Sequence, residues 1–267
     1  EFVGAAGVFA VGEVFNGDPH YVYGYSEAVG AVLDYPLFFA LRDAFMGKQG
    51  LDGLAARAGE LAGLSAQHAT TGVLAGFLDN HDNPRFLCHT ADQAQDWTLL
   101  KNALAFLLLY QQIPIVYYGT EQGFAGCGDP GNRESLFGHR DPAALLYSFI
   151  KQVHAARRLA EEHASFFGTP PLFLDTDQPA KAVGLARGSL LLLASNRGSD
   201  HADSPLSLAL PPALQGAGTV VDLLGAAGEE FRVSPEGRLH LFIRNGQPRL
   251  LVPPHWRTHP APDPVLH

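Results

Sequence analysis

Cysteine is scarce in this chain: 267 residues hold two, Cys88 and Cys127. Two are too few for a disulfide framework and are not spaced as a CxxC metal pair. One bridge is left open, and with it the redox compartment. Charge is scarce as well, at 17% against 46% hydrophobic residues, which is the composition of a packed protein and not of a disordered one. No apolar run approaches the ~20 residues of a membrane-spanning helix, and ALAFLLLY is too short. Basic clusters are missing and the formal net charge is −9, which excludes a phosphate-tracking surface and favours a neutral or cationic partner over nucleic acid. There is no internal repeat and no low-complexity segment. Nor does a charged n-region with an apolar core open the chain: EFVGAAG runs straight into VFAVGEVF. That leaves localisation unknown and predicts a natural polypeptide extending upstream.

What is present is an alternation. GVFAVGEV (7–14) reads as a continuous apolar strand covered on both faces and ending at Glu13. AVGAVLDYP leads into LFFALRDAFMG at helical spacing, with Pro36 suited to a helix start. LDGLAARAGELAGL predicts a helix, VLAGFLDN a strand, DQAQDWTLLKNALAFLLLYQQ a long helix and IPIVYYGT another strand. DPAALLYSFIKQVHAARRLA then places Leu145, Leu146, Phe149, Ile150, Val153 and Leu159 on one helical face. Four such alternations mean βα units and a parallel sheet, open or closed into a barrel. From about Ser165 the texture changes to short β-type runs (AVGLARG, SLLLLASN, TVVDLLG, HLFIRNG, PRLLVPP) separated by turn residues, which predicts an antiparallel module. The expected division is 1–164, 165–257 and a Pro-rich tail, 258–267, with the boundary near FFGTPP.

Parallel sheets carry chemistry at the carboxyl ends of their strands. Two acids stand at such ends: Glu13, and Asp82 in FLDNHDNPRF. Convergent carboxylates suit glycoside hydrolysis, although by spacing alone a strand-end Asp is more often an N-cap or loop acceptor.

The strings themselves say more. GEVFNGDP resembles the strand-five motif of the α-amylase family (glycoside hydrolase family 13), and FLDNHDNPRF its strand-seven motif around Asn-His-Asp. IPIVYYGTEQGFAGCGDPGNRESLF resembles the strand-eight stretch, with Gly-Thr-Glu-Gln, Asp-Pro and Asn-Arg-Glu in order. The resemblance is closest to fungal-type α-amylases and covers almost the whole chain. It implies an α/β fold, the second half of a TIM (β/α)8 barrel (strands five to eight), followed by an antiparallel β-sandwich domain.

Carried over by position, the resemblance makes Glu13 the general acid/base, its carboxyl raised by partial desolvation and a neighbouring anion. Asp82 becomes the carboxylate that grips sugar hydroxyls as the ring distorts, and His81 a hydroxyl donor. Asp129 and Arg133 would hold glucose units on the non-reducing side, a spacing that also suits a plain loop salt bridge. Phe15 and Asn16 would meet the leaving-group sugar; relatives commonly carry another polar or acidic residue at the Asn16 position. The implied substrate is an α-glucan, starch or maltooligosaccharide, cleaved internally at α-1,4 bonds with retention. Tyr117 and Tyr118, with one facing the barrel core and the other the helices, read as packing residues, as do Trp97 and Trp256.

The family's nucleophile, an Asp in a motif of the type Gly-(Phe/Leu)-Arg-(Ile/Leu)-Asp, has no match in these residues. Calcium and secretion are implied by resemblance only, and no calcium ligand can be named. Tyr23 stands where relatives have one of their cysteines. The expectation is therefore an α-amylase fragment lacking the nucleophile-bearing amino-terminal half of its barrel and inactive alone, with apolar edges on GVFAVGEV and IPIVYYGT open to a partner. Two other readings stand beside it: an α-glucosidase or glucanotransferase of the same family, and a non-catalytic half-barrel that binds glucan.

Overall fold

The computed structural model describes residues 9–67, 73–90, 97–110, 113–164, 166–199, 203–225 and 229–258. Its first unit is an arc of parallel backbone. Gly12 bridges Val32 in β1 (Ala31–Leu33), β1 pairs with β2 (Val73–Phe77), and β2 pairs with β3 (Ile113–Ile115), all parallel and in chain order. Helices α2 (Tyr35–Phe45) and α3 (Leu51–Gln67) cross between β1 and β2, α4 (Thr98–Tyr110) between β2 and β3, and α5 (Leu145–Ala164) follows β3. Sequential parallel strands with helices outside are the repeating unit of a βα barrel.

Local chemistry starts two of the helices. The Asp34 carboxylate accepts the Leu37 N–H at 2.9 Å and a proline lies in the first turn, so α2 begins where β1 ends. The sequence pattern gave no helix at Pro19–Val29, because the tyrosines of YVYGY are β-prone. Here a cap decides: Asp18 accepts from the N–H groups of His20 and Tyr21, Pro19 opens the turn, and Gly30 closes α1 (Pro19–Val29) at φ 92°. Helix α4 is buried on nearly every face, from Asn102 through Tyr110, because α2, α5 and the second unit pack around it.

Two expectations about the strands and one about a helix need correction. GVFAVGEV is not covered on both faces: residues 7 and 8 lie outside the described set, Phe9 and Val11 are 63% and 42% exposed, and only Gly12 bridges. Its one edge meets β1, and among the described residues nothing meets the other. IPIVYYGT is a strand only over Ile113–Ile115, and Ile115 is exposed, for the same reason. On α5, Leu146, Phe149 and Val153 are buried as expected, whereas Leu145, the first residue of the helix, is 59% exposed. The expected amino-terminal part of the α4 helix, residues 91–96, falls outside the described residues, as does the tail from 259 onward.

A short 3-10 turn at Phe166–Gly168 leads into the second unit. Its larger sheet runs in the order β4 (Leu172–Leu174), β5 (Ala182–Arg187), β6 (Leu190–Ser195), β11 (Arg249–Val252), β8 (Thr219–Asp222), β9 (Glu230–Arg232), all antiparallel. The smaller pairs β10 (Arg238–Ile243) with β7 (Ser204–Ala209). Leu191, Leu193, Leu206, Leu208, Leu239 and Leu241 fill the space between the two sheets, which makes a sandwich. Strand β10 alternates buried and exposed along its length, as a strand with one wet face must. Asn102, fully buried on α4, ties the units together: its amide donates to Gly246 O at 2.9 Å and accepts the Ser195 N–H at 2.7 Å.

Candidate active site

The two acids singled out by the sequence lie at the carboxyl ends of two parallel segments that flank β1. Glu13 follows the bridging Gly12, and Asp82 follows β2 through a short loop. Between them stands Tyr35, whose ring is wholly buried. The Tyr35 hydroxyl donates to Glu13 Oε1 at 2.6 Å and accepts from Asn80 Nδ2 at 3.0 Å. Burial, then the hydrogen bond to Glu13, push the Tyr35 phenol up to about 12, so it is a neutral donor throughout the working range. Glu13 itself is exposed.

Asn80 also organises the next turn. Its Oδ1 accepts the backbone N–H of Asp82 at 3.1 Å and of Asn83 at 3.0 Å, and the Asn83 amide at 2.8 Å, an Asx turn that presents Asp82 outward. Asp82 and His81 are both about half exposed, with His81 Nε2 3.3 Å from Asp82 Oδ2. Arg133 Nη2 approaches Asp82 Oδ1 at 3.5 Å, while Arg133 Nε lies 3.0 Å from Asp129 Oδ1 and donates to His81 O at 3.2 Å. The structure therefore brings His81, Asp82, Asp129 and Arg133 into one cluster, linked to Glu13 through Asn80 and Tyr35. The Asp129–Arg133 pair is the loop salt bridge that spacing allowed, and it faces the same rim as Asp82.

Phe15 is 66% exposed, with its ring edge-on to Tyr35 at 4.8 Å and to Phe39 at 5.7 Å. An apolar ring held this way beside Glu13 offers a face to a pyranose. Asn16 turns its Oδ1 back to the Asp18 N–H at 2.8 Å, bending the chain into α1.

Beneath the rim is a buried cation. Arg85, whose side chain is 0% exposed, pairs through Nε with Glu134 Oε2 at 3.0 Å and donates Nη1 to Tyr118 O at 2.6 Å. Its guanidinium lies 4.2 Å from the Tyr117 ring centroid and 5.0 Å from that of Tyr118. Both tyrosines thus flank one arginine, and the expected division between barrel core and helices does not occur. Asp79, buried one turn earlier, accepts from Phe86 N–H and Thr120 Oγ1; burial pushes its carboxyl above the ordinary range, opposed by those bonds and by Arg85 and Arg42. Cys88 and Cys127 form a disulfide, settling the bridge that the sequence left open and joining the loops after β2 and β3. Trp256 is buried and Trp97 partly buried against the main core, as packing residues.

Sequence reasoning missed Tyr35, Asn132 and Glu134. Nothing local in the sequence marks the reach of Tyr35 to Glu13, 22 residues away. For calcium, no group of three or more His, Cys, Asp or Glu side chains able to hold a metal occurs among the described residues. No residue is assigned to calcium, and no step below uses it.

Comparison with known proteins places these features. The description "Alpha amylase, catalytic domain" matches residues 2–168. An α-amylase of Saccharomycopsis fibuligera is 32% identical over 255 residues, covering 95% of this chain and 49% of the relative. The structure of an α-amylase from Malbranchea cinnamomea superposes with a TM-score of 0.81 at 31% identity, covering 96% of this chain and 52% of that one. The structure of AmyP in complex with maltose shares the fold, with a TM-score of 0.71 at 17% identity over 91% of this chain and 55% of that one. The chain spans about half the length of the curated relatives it matches.

Proposed function

The chain belongs to the α-amylase catalytic-domain family, and from that premise we propose that it carries the acid/base half of a retaining, endo-acting α-1,4-glucan hydrolase site. The supporting observation is the continuous link from Glu13 through Tyr35 and Asn80 to Asp82, which holds two carboxylates at one end of the parallel strands. In this reading Glu13 protonates the glycosidic oxygen and later takes a proton from water. Asp82 and His81 bind hydroxyls of the ring being cleaved, in contacts that strengthen as it flattens toward the oxocarbenium ion. Arg133 and Asp129 hold the sugar on the non-reducing side, and Phe15 and Asn16 the leaving group. Residues 1–164 form the barrel part and 165–257 the β domain.

A retaining mechanism also requires a nucleophilic carboxylate, and no Gly-x-Arg-x-Asp motif occurs in these 267 residues. The contribution of this chain is therefore binding and proton transfer. The substrate class, starch, glycogen and maltooligosaccharides, is supported by family membership and by the maltose complex of AmyP. Calorimetric titration of the chain with maltoheptaose tests it: saturable binding is expected, weakened at least tenfold in Asp82→Ala and in Arg133→Ala. Equal affinity in wild type and both variants would refute the assignment.

A further inference from the structure

We infer that Asn132 is a positioning residue for Asp82, acting from the loop after β3 on the loop after β2; the inference rests on the reading of Asp82 given above. Asn132 is 0% exposed. Its amide nitrogen donates to His81 O at 2.9 Å and to Asn83 O at 2.9 Å, the two carbonyls on either side of Asp82. Both protons of the NH2 group are used, and both go to the residues flanking one carboxylate. The Asp82 N–H is meanwhile held by Asn80 Oδ1. Asp82 thus sits on a backbone gripped at its own N–H by Asn80 and at the carbonyls of both neighbouring residues by Asn132.

The orientation of the amide is fixed by its partners. Turned over, it would set Oδ1 against two carbonyl oxygens. As placed, Asn132 Oδ1 is buried with no hydrogen-bond partner. Leaving a buried acceptor unmade is unfavourable, so the amide is held here by its two donor bonds at the expense of its own oxygen. Neither aspartate, which lacks the donors, nor alanine can reproduce this grip.

The loop that carries Asn132 is built to deliver it. The Asn132 N–H bonds Gly128 O at 3.0 Å and the Arg133 N–H bonds Pro130 O at 3.0 Å, a tight turn. That turn packs so closely on Gly126 that a Cβ there would run into Gly131 O. Arg85 N–H to Gly126 O at 3.0 Å and the Cys88–Cys127 bridge fasten the turn to the loop after β2. These ties hold the two loops together at residues 85–88; from the loop after β3, among the described residues, Asn132 and its neighbour Arg133 are the ones that bond the carbonyls of His81 and Asn83. A role in overall stability alone would not require the two bonds to bracket Asp82.

The test compares wild type, Asn132→Ala and Asn132→Asp by maltoheptaose titration on protein shown to be folded by a cooperative thermal transition. Both variants are also made in the double variant His81→Ala/Asp82→Ala. Amide chemical shifts are recorded without ligand. Positioning predicts at least a tenfold loss of affinity in each single variant, no further loss in the double-variant background, and shifts concentrated at residues 80–83. Unchanged affinity in folded single variants, or an equal loss in the double-variant background, overturns the proposal. Should wild type itself bind no glucan, the assignment of Asp82 to sugar fails. The amide shifts then decide: changes confined to 80–83 support Asn132 as the brace of that loop, and changes spread through the core refute it.

Discussion

Tyr35 donates its hydroxyl to Glu13 at 2.6 Å and receives the amide of Asn80 at 3.0 Å, so a single phenol oxygen spans the ends of two parallel segments 22 and 45 residues apart in sequence from it. The phenol ionises at about 12 in the folded chain and near 10 when unfolded. Below pH 10 both states are neutral and the contribution of Tyr35 to stability is complete. Between about 10 and 12 only the unfolded state loses its proton, and stability falls as pH rises. Tyr35→Phe is expected to cost roughly 1–2 kcal/mol at pH 8 from two lost hydrogen bonds, and to show a shallower alkaline decline. Urea midpoints for both proteins at pH 8, 10.5 and 11.5 check this; parallel pH profiles would count against the bridge.

The Arg85–Glu134 pair is a buried cation with a partly covered partner, at 0% and 30% side-chain exposure. Glu134 also accepts the N–H groups of Ala125 and Gly126, at 3.0 and 2.6 Å. Removing it strands the guanidinium, so Glu134→Ala is expected to cost about 3–5 kcal/mol in a denaturant titration. A loss below about 1 kcal/mol, the level of an exposed pair, would show that the tyrosine rings alone suffice for Arg85.

The Cys88–Cys127 bridge closes a loop with a sequence separation of 39. Restricting the unfolded chain over that span is worth roughly 2–4 kcal/mol. Cys127→Ser should lower stability by that amount, and dithiothreitol should do the same to wild type. If the reductant has no effect on a thermal melt while thiol titration shows two free groups, the bridge does not support the fold.

Soluble starch should yield no reducing sugar with the 267-residue chain alone, because Glu13 and Asp82 provide no covalent acceptor for the glycosyl group. A reducing-sugar assay with Glu13→Gln as control checks this. Release that disappears in the variant would falsify the assignment of roles, since it would require a nucleophile among residues given none here.

Much of the fold was legible because its signals are local. Helical spacing in α3, α4 and α5, the Pro36 start of α2 and the turn-punctuated runs after Ser165 all report on neighbours in sequence. Buried β2 was read correctly because VLAGF is apolar throughout. The segment at 9–14 looked the same on paper and is not the same in space: an apolar run becomes a buried strand only when both edges and both faces find partners. Helix α1 was missed because an Asp18 cap outweighs the strand preference of its tyrosines.

The sequence by itself determined the family, through GEVF, NHD and DPGNRE in order along the chain, and marked Glu13, Asp82, His81, Asp129 and Arg133 as candidates. Only the tertiary structure decided how these residues are held. The hydroxyl of Tyr35, the amide of Asn132 and the Cys88–Cys127 bridge act between loops far apart in the chain. Hydrogen-bond partners at such separations leave no periodicity for a sequence to show, and they exist only once parallel strands bring their carboxyl ends side by side.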